Sequence, residues 1–454
     1  MSIEPLLKYA ENEGLISGLD IILARNLLLD LLDIKNPADS DFDTTKSLSN
    51  ILAPIFEYAG CKTITECDLL EGRIMGILTP RQQEVTTKFY SLLQKQGDAL
   101  DYFYKLSCAT NYIKTERIKK NLAWKHNTDF GELEITINLS KPEKDPKEIA
   151  QAITQKDVSY PKCLLCIENV GYAGHINHPA RQNHRIIPID LCGEDWYLQY
   201  SPYAYYTEHC IPLCGEHRPI SINKTTFEKL LAFLELFPHY FVGSNADLPI
   251  VGGSILNHDH FQGGRYNFPI EKAKSIKSYT LMGIKAEILK WPMSAIRLKS
   301  KNSKHIINAS TAILEKWRGY SDESVGIFAH SGNTPHNTIT PIARINADGE
   351  YEFDLVLRNN RTSEEYPDGI FHPHPHVHHI KKENIGLIEV MGLAILPGRL
   401  AQEVEKAPDE QKNYMGEVFL EVLTHAGVFK CTKAEAFMKF MTACGAKLEE
   451  TSWT

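Results

Sequence analysis

No uncharged apolar run in this chain approaches the roughly 18–20 residues that a bilayer-spanning helix needs, so no membrane segment is expected. Basic residues are in deficit: 49 Lys and Arg stand against 57 Asp and Glu, a formal net charge of −8. A nucleic-acid binder normally carries the opposite balance on one face, and no basic stretch interleaved with aromatics is present. Nucleic acid is therefore not expected as a partner, whereas a small anion needs only a few placed Arg or Lys. The opening residues, MSIEPLLKYAENEG, lack the basic, apolar and small-residue succession of a signal peptide, so a cytoplasmic location is expected. Low-complexity tracts and short-period repeats are missing too.

What remains is an ordinary globular composition of 454 residues, 43% hydrophobic and 23% charged, enough for two or three domains. Without an export signal, the ten cysteines point to metal ligation or buried thiols ahead of disulfides. Residues 1–125 read as helical, with amphipathic segments over 18–33, 39–56 and 79–106. From there the texture changes to short strands: LEITINL at 133–139, then 185–189, 196–200, 324–328, 338–346 and 351–357. Helices are expected at 225–237, at 388–396 and through the last 50 residues. The fold class that follows is α+β, with antiparallel sheets and helical N- and C-terminal extensions. Its expected divisions are a helical region at 1–125, a half carrying the richest motifs at 126–270, and a second half at 271–454.

Four constellations carry chemistry. Asn257-His258-Asp259-His260-Phe261-Gln262-Gly263-Gly264 follows a glycine-rich approach that ends at Ser254. On extended backbone His258, His260 and Gln262 share a face. Imidazole is a competent nucleophile toward phosphorus, and a neighbouring amide can donate to a phosphoryl oxygen. Cys163 and Cys166 form a CxxC, which suits one zinc ion completed by two further ligands. His217 and His258 would complete it, with His209, Cys210 and Cys214 as competitors. Five histidines fall in eight residues, His372, His374, His376, His378 and His379, where alternate side chains would present one face to a metal or phosphate. Arg358 and Arg361, with two Asn between them, suit a phosphate or sugar phosphate, as do Arg181 and Arg185.

In this order the motifs resemble the galactose-1-phosphate uridylyltransferase family, in its bacterial longer-chain branch, within the histidine-triad-like superfamily. The phrases that carry the likeness are CLLCIENVGYAG, IDLCGEDWYLQYSPYAYYTEHCIPL, ILNHDHFQGG, LVLRNNRT and IKKENIGLIEVMGLAILPGRL. The resemblance implies two histidine-triad-like halves and a ping-pong exchange between UDP-glucose and galactose 1-phosphate through a uridylylated histidine. It makes His260 the nucleophile, Gln262 the amide holding the phosphoryl group, and Cys163, Cys166, His217 and His258 the zinc ligands. Asn245 matches an asparagine near the nucleotide phosphate, and Ser254, Arg358 and Arg361 are expected to bind substrate beside it. A second metal, iron or zinc, would fall to Glu271, His336, His374 and His376, and a homodimer is expected. Asp259 departs from the better-known branch, which has proline there; Phe261 stands where glycine is common. Two other readings compete: a dinucleoside polyphosphate phosphorylase or nucleotidyltransferase of the same superfold, and a non-catalytic zinc-stabilised nucleotide-binding module. Neither a zinc-free phosphorylase nor a binding module would need the CxxC and a nucleophile together.

Overall fold

The computed structural model describes residues 1–36, 38, 46–95, 97–140, 159–430 and 434–449. The chain divides into two compact units. The first comprises residues 1–120, 139–189 and 196–204, and the second residues 121–138, 190–195 and 205–454.

The first unit is mainly helical, over Glu4–Asn12, Leu19–Leu31, Leu48–Tyr58, Ile64–Leu78, Gln82–Gln94 and Ala99–Ala109. Local chemistry starts these helices: Ser47 accepts from the Asn50 amide, and Thr63 and Glu66 satisfy each other's backbone donors in a capping box. The expected segment at 79–106 is two helices, because Gly97 and the N-cap Asp98 interrupt it before Ala99–Ala109. Of the expected helix at 39–56, residues 39–45 lie outside the described residues. Leu6, Leu28, Leu52, Met75, Phe89 and Phe103 form the core of this unit.

Strands β1 (Leu122–Thr128) and β2 (Gly131–Asn138) make an antiparallel hairpin. Strands β3 (Ile187–Leu191) and β4 (Glu194–Tyr200) have residues in both units. Then follow β5 (Cys210–Cys214), β6 (Phe241–Gly243), β7 (Gln262–Gly264), β8 (Ser275–Leu281), β9 (Ile284–Leu289) and β10 (Ala295–Ser300). A two-residue pair, β11 (His330–Ser331) and β12 (Thr334–Pro335), precedes the long β13 (Asn337–Ile345) and β14 (Tyr351–Asn359). The last are β15 (Leu393–Pro397) and β16 (Lys447–Leu448). Within the second unit the large sheet runs β16-β8-β9-β10-β14-β13-β6-β7-β5, antiparallel at each described pairing. β13 and β14 are buried on both faces, which is why their sequence shows no clean alternation. Trp317, on helix Ser303–Arg318, anchors that helix by donating its indole N–H to the carbonyls of Thr338 and Arg358. The architecture is α+β with antiparallel sheets.

Three expectations are corrected. Residues 388–396 are one helical turn, Leu387–Val390, followed by β15, which pairs parallel with β2. Gly392 sits at φ +99°, a conformation that ends a helix, and an apolar run of this length does not separate helix from strand. Residues 324–328 are a tight turn, Glu323–Val325, held by the Asp322 side chain and ended by Gly326 at φ +72°. The histidine-rich run is not extended, because prolines break it into a turn at Pro375–Val377. No helix among the described residues is long and apolar enough to cross a membrane.

Candidate active site and metal ligands

In the second unit the HDHFQ run lies beside β5 and leads into β7. The Phe261 amide donates to the Pro212 carbonyl at 2.7 Å, the Cys214 amide to the Asp259 carbonyl at 2.9 Å, and His260 bridges to Leu213. This extended pairing puts Phe261 into the core at 1% exposure and turns His258, His260 and Gln262 to the opposite face. Asp259 faces Arg218 at 3.6 Å, and burial pushes its carboxyl up to about 6.

His260 is held in one tautomer. Its Nδ1–H donates to the His258 carbonyl at 2.7 Å, and a carbonyl can only accept, so Nε2 keeps its lone pair. Burial lowers its pKa to about 4, so the ring is neutral near pH 7. A neutral imidazole with one nitrogen fixed and the other free is the form a phosphorus nucleophile requires. His258 donates its Nε2–H to the Cys214 carbonyl at 2.8 Å, and the His217 ring lies 5.0 Å away. A carbonyl on the far nitrogen is the usual support of a metal-ligating histidine.

Gln262 is half-buried, and its Oε1 has no hydrogen-bond partner among the described residues. The neutral ring of His209, tilted against Tyr205 and Tyr206, lies beside it with both nitrogens also unpartnered among the described residues. His209 joins no group of metal donors among the described residues.

Asn245, just past β6, accepts the Leu387 amide on Oδ1 at 2.9 Å. A Cβ on Gly253 would fall 2.6 Å from Asn245 Nδ2, so only glycine lets that loop pass the amide. Ser254 follows on an exposed bend. Arg358 is fully buried, donating to Thr340 Oγ1 at 3.2 Å and to the Ile385 carbonyl at 2.9 Å; burial lowers its pKa to about 10. Asn245 and Arg358 thus converge on the turn at 385–389, which also holds a buried Lys381–Glu389 ion pair at 2.8 Å. That pair was missed in the sequence, although two charges bracketing the apolar NIGLI stretch were a signal. Arg361 is committed elsewhere, donating to the Gly326 carbonyl at 2.7 Å over the Phe328 ring.

In the first unit Cys163 and Cys166 have their sulfurs 3.5 Å apart, and the Leu165 amide points at Cys163 Sγ. The Asn169 amide binds both cysteine carbonyls at 2.8 Å and is itself fixed by His178 at 2.6 Å. Burial pushes the Cys166 thiol up to about 11, so a thiolate there calls for a cation.

Among the described residues, those expected at a second metal do not appear together as one group of donors. His336 has both ring nitrogens occupied, by Asn360 and Ser331 at 2.8 Å each, and Glu271 caps the turn at Pro269–Lys272 through the Phe268 amide. His374 stacks on His425 with centroids 3.9 Å apart, and His376 Nε2 meets Glu421 at 2.7 Å. His376, Glu421 and His425 form a group able to hold an ion, two of its members on helix Pro408–Ala426.

Two family models match, described as the N-terminal domain of galactose-1-phosphate uridyl transferase over residues 57–219 and its C-terminal domain over residues 233–423. The chain is 51% identical to the galactose-1-phosphate uridylyltransferase of Caldanaerobacter subterraneus subsp. tengcongensis, covering 98% of each chain. It is 49% identical to that of Bacillus subtilis, again over 98% of each. Among solved structures, a yeast Ap4A phosphorylase matches at TM-score 0.37 and 13% identity, over 74% of this chain and 94% of that one.

Proposed function

The chain belongs to the galactose-1-phosphate uridylyltransferase family, and from that premise we propose that it transfers UMP from UDP-glucose to galactose 1-phosphate through His260. The observation that carries the reading is the fixed tautomer of His260, a buried neutral ring whose Nδ1–H is tied to the His258 carbonyl. Nε2 attacks the α-phosphorus of UDP-glucose as the bond to the β-phosphate oxygen breaks, and glucose 1-phosphate departs with that electron pair. The uridylylated ring is cationic, and its Nδ1–H bond to the carbonyl then becomes charge-assisted. A phosphate oxygen of galactose 1-phosphate attacks the same phosphorus, the P–N bond breaks, and UDP-galactose leaves a neutral His260 behind. Gln262, on the same face, is proposed to donate its amide N–H to the phosphoryl oxygens as charge builds there.

Asn245 is proposed to bind the nucleotide phosphate through Nδ2, with Ser254 on the neighbouring loop. Arg358 and Arg361 are proposed to act by holding the turns they already bind. Cys163, Cys166, His217 and His258 are proposed as the ligands of one zinc ion, as the family resemblance implies. Two thiols and two imidazoles are a closed tetrahedral set, which suits a structural zinc and leaves no open position for substrate. For a second ion, iron or zinc, Glu271, His336, His374 and His376 are the set read from sequence, and the group His376, Glu421 and His425 is proposed beside it, with His376 common to both. A cytoplasmic homodimer is the accompanying expectation, read by sizing the native protein.

The test is intact-protein mass after incubation with UDP-glucose alone, under mildly alkaline conditions that preserve a P–N bond. A gain equal to UMP is expected in the wild type, discharged by galactose 1-phosphate and missing in His260→Ala. A metal-replete wild type that gains no mass would overturn the reading.

A further inference from the structure

The run His178-Pro179-Ala180-Arg181-Gln182-Asn183-His184-Arg185 contains two arginines four residues apart, and the fold treats them oppositely. Arg185 is fully used: Nε donates to the Pro80 carbonyl at 2.7 Å, Nη1 to those of Gln182 and His184 at 2.9 and 2.7 Å, and Nη2 to that of Thr79 at 3.2 Å. It is a structural clamp.

Arg181 is only 9% exposed, and its side chain makes no hydrogen bond or ion pair among the described residues. Its guanidinium carbon stands 5.3 Å from the centre of the Tyr112 ring. His184 stacks on the same tyrosine at 4.4 Å, and its Nδ1 is buried without a partner. Among the described residues, the groups that feel the charge of Arg181 include Tyr112, His178 and His184, and none of these is an anion near pH 7.

The backbone beneath Arg181 is rigid. Its amide and carbonyl pair with Tyr172 and Gly171, and Asn183 binds the Thr110 carbonyl at 2.9 Å. Gly72 and Gly76 let helix Ile64–Leu78 press against this run: a Cβ at either would come within 2.5 Å of the Cβ of Ala180 or Gln182. The stem of Arg181 is packed away while its donor nitrogens are not among the buried unpaired atoms, so the guanidinium is held in place by tight packing with its donors at the surface of that packing. A fixed planar fork with five idle donors fits an oxyanion, above all phosphate.

We propose that Arg181, seated on Tyr112, is a phosphate-binding residue of the first unit, taking the phosphate oxygens of a nucleotide sugar or of a sugar 1-phosphate. The identity of the phosphate ester rests on the uridylyltransferase reading; the presence of an anion subsite does not. Arg181→Gln removes the charge and keeps a polar side chain of similar reach, while Arg181→Lys keeps the charge and loses the fork.

The experiment measures, by calorimetry on the full chain, the binding of UDP-glucose and of galactose 1-phosphate, together with the ligand-free melting temperature. Loss of a charge-assisted pair should weaken binding by about 10- to 100-fold in Arg181→Gln, with partial recovery in Arg181→Lys. The melting temperature of the free variant should hold near wild type, since Arg181 donates to no side chain or carbonyl among the described residues. Weakening of UDP-glucose alone assigns the nucleotide's diphosphate, weakening of galactose 1-phosphate alone assigns the acceptor's, and weakening of both assigns a shared position. Unchanged affinity for both ligands, with or without a fall in melting temperature, overturns the proposal. Should Arg181→Gln fail to fold, Arg181→Lys is expected to show the intermediate loss of affinity, and wild-type affinity in it overturns the proposal. A separate arm uses inorganic phosphate. Thermal protection of the wild type that is absent in Arg181→Gln sustains the anion subsite even if UDP-glucose forms no adduct; equal protection of both overturns it.

Discussion

The second unit contains two histidine runs of very different appearance. Residues 372–379 hold five histidines, whereas residues 258–260 hold two, yet the sparser run has the geometry for chemistry. His258 and His260 are buried on extended backbone, each with one nitrogen fixed by a carbonyl. The richer run is broken by prolines, and its members scatter: His378 binds the Pro373 carbonyl, His379 meets the Tyr414 hydroxyl, and His376 pairs with Glu421. The difference teaches that a nucleophile is made by immobilisation and desolvation, which lock tautomer and charge, and that density of a reactive residue type supplies neither.

The sharpest way to break that comparison is to exchange the consequences of the two runs. His260→Ala should lower turnover by more than about 1,000-fold, as loss of a covalent nucleophile does, with a melting temperature near wild type. Alanine at His372, at His378 or at His379 should change turnover far less. A uridylylated mass that survives in His260→Ala and disappears in one of the others would move the nucleophile into the richer run.

A second effect, on stability more than chemistry, concerns the proposed zinc ligands. Cys163→Ser should bring zinc close to zero per chain and cost ~3 kcal/mol or more, because binding energy at a closed site is folding energy. At about 1 °C per kcal/mol for a chain of this size, the melting temperature should fall by roughly 3 °C or more, read by scanning calorimetry beside elemental analysis. Full zinc content in Cys163→Ser would remove this cysteine from the ligand set.

A third and smaller effect tests the loop that passes Asn245. In Gly253→Ala the new Cβ meets Asn245 Nδ2 at 2.6 Å, so the amide must give way and its bond to the Leu387 amide weakens. One buried hydrogen bond of this kind contributes about 1 kcal/mol, so UDP-glucose binding should weaken ~5- to 10-fold while His260 is still uridylylated at saturation. Wild-type KM in that variant would show that the loop and Asn245 are not part of the nucleotide's seat.

Much of this was legible in the sequence, and the limits are physical. The period-2 spacing of His258, His260 and Gln262 fixes a shared face wherever the backbone is extended, so their convergence needed no tertiary information. The CxxC likewise specifies a pair of close sulfurs on its own. Illegible features depend on partners far along the chain. Arg181 and Arg185 look alike until Thr79 and Pro80 claim one of them and no described carbonyl or carboxylate claims the other. The turn at Gly392 hides inside an apolar run that helix and strand share. Glu421 and His425, four residues apart on one helix face, gave no sign that a histidine some 50 residues earlier would reach them.

That last group supplies the smallest expected effect and the finest test of the comparison. His376 and Glu421 are well exposed, with side chains 60% and 45% accessible, so as an ion pair they are worth at most about 1 kcal/mol. His376→Ala should then leave turnover within about twofold and shift the melting temperature by no more than ~1 °C. The same two imidazoles and carboxylate could instead share a divalent ion, in which case the variant loses close to one equivalent of metal while Cys163→Ser retains that equivalent. Elemental analysis of the two variants side by side separates these outcomes, since an ion pair carries no metal and a second site is lost independently of the first. Either result leaves the proposal for His260 untouched; only a fall in the rate of uridylylation itself, at full zinc occupancy, would tie the richer run to the chemistry.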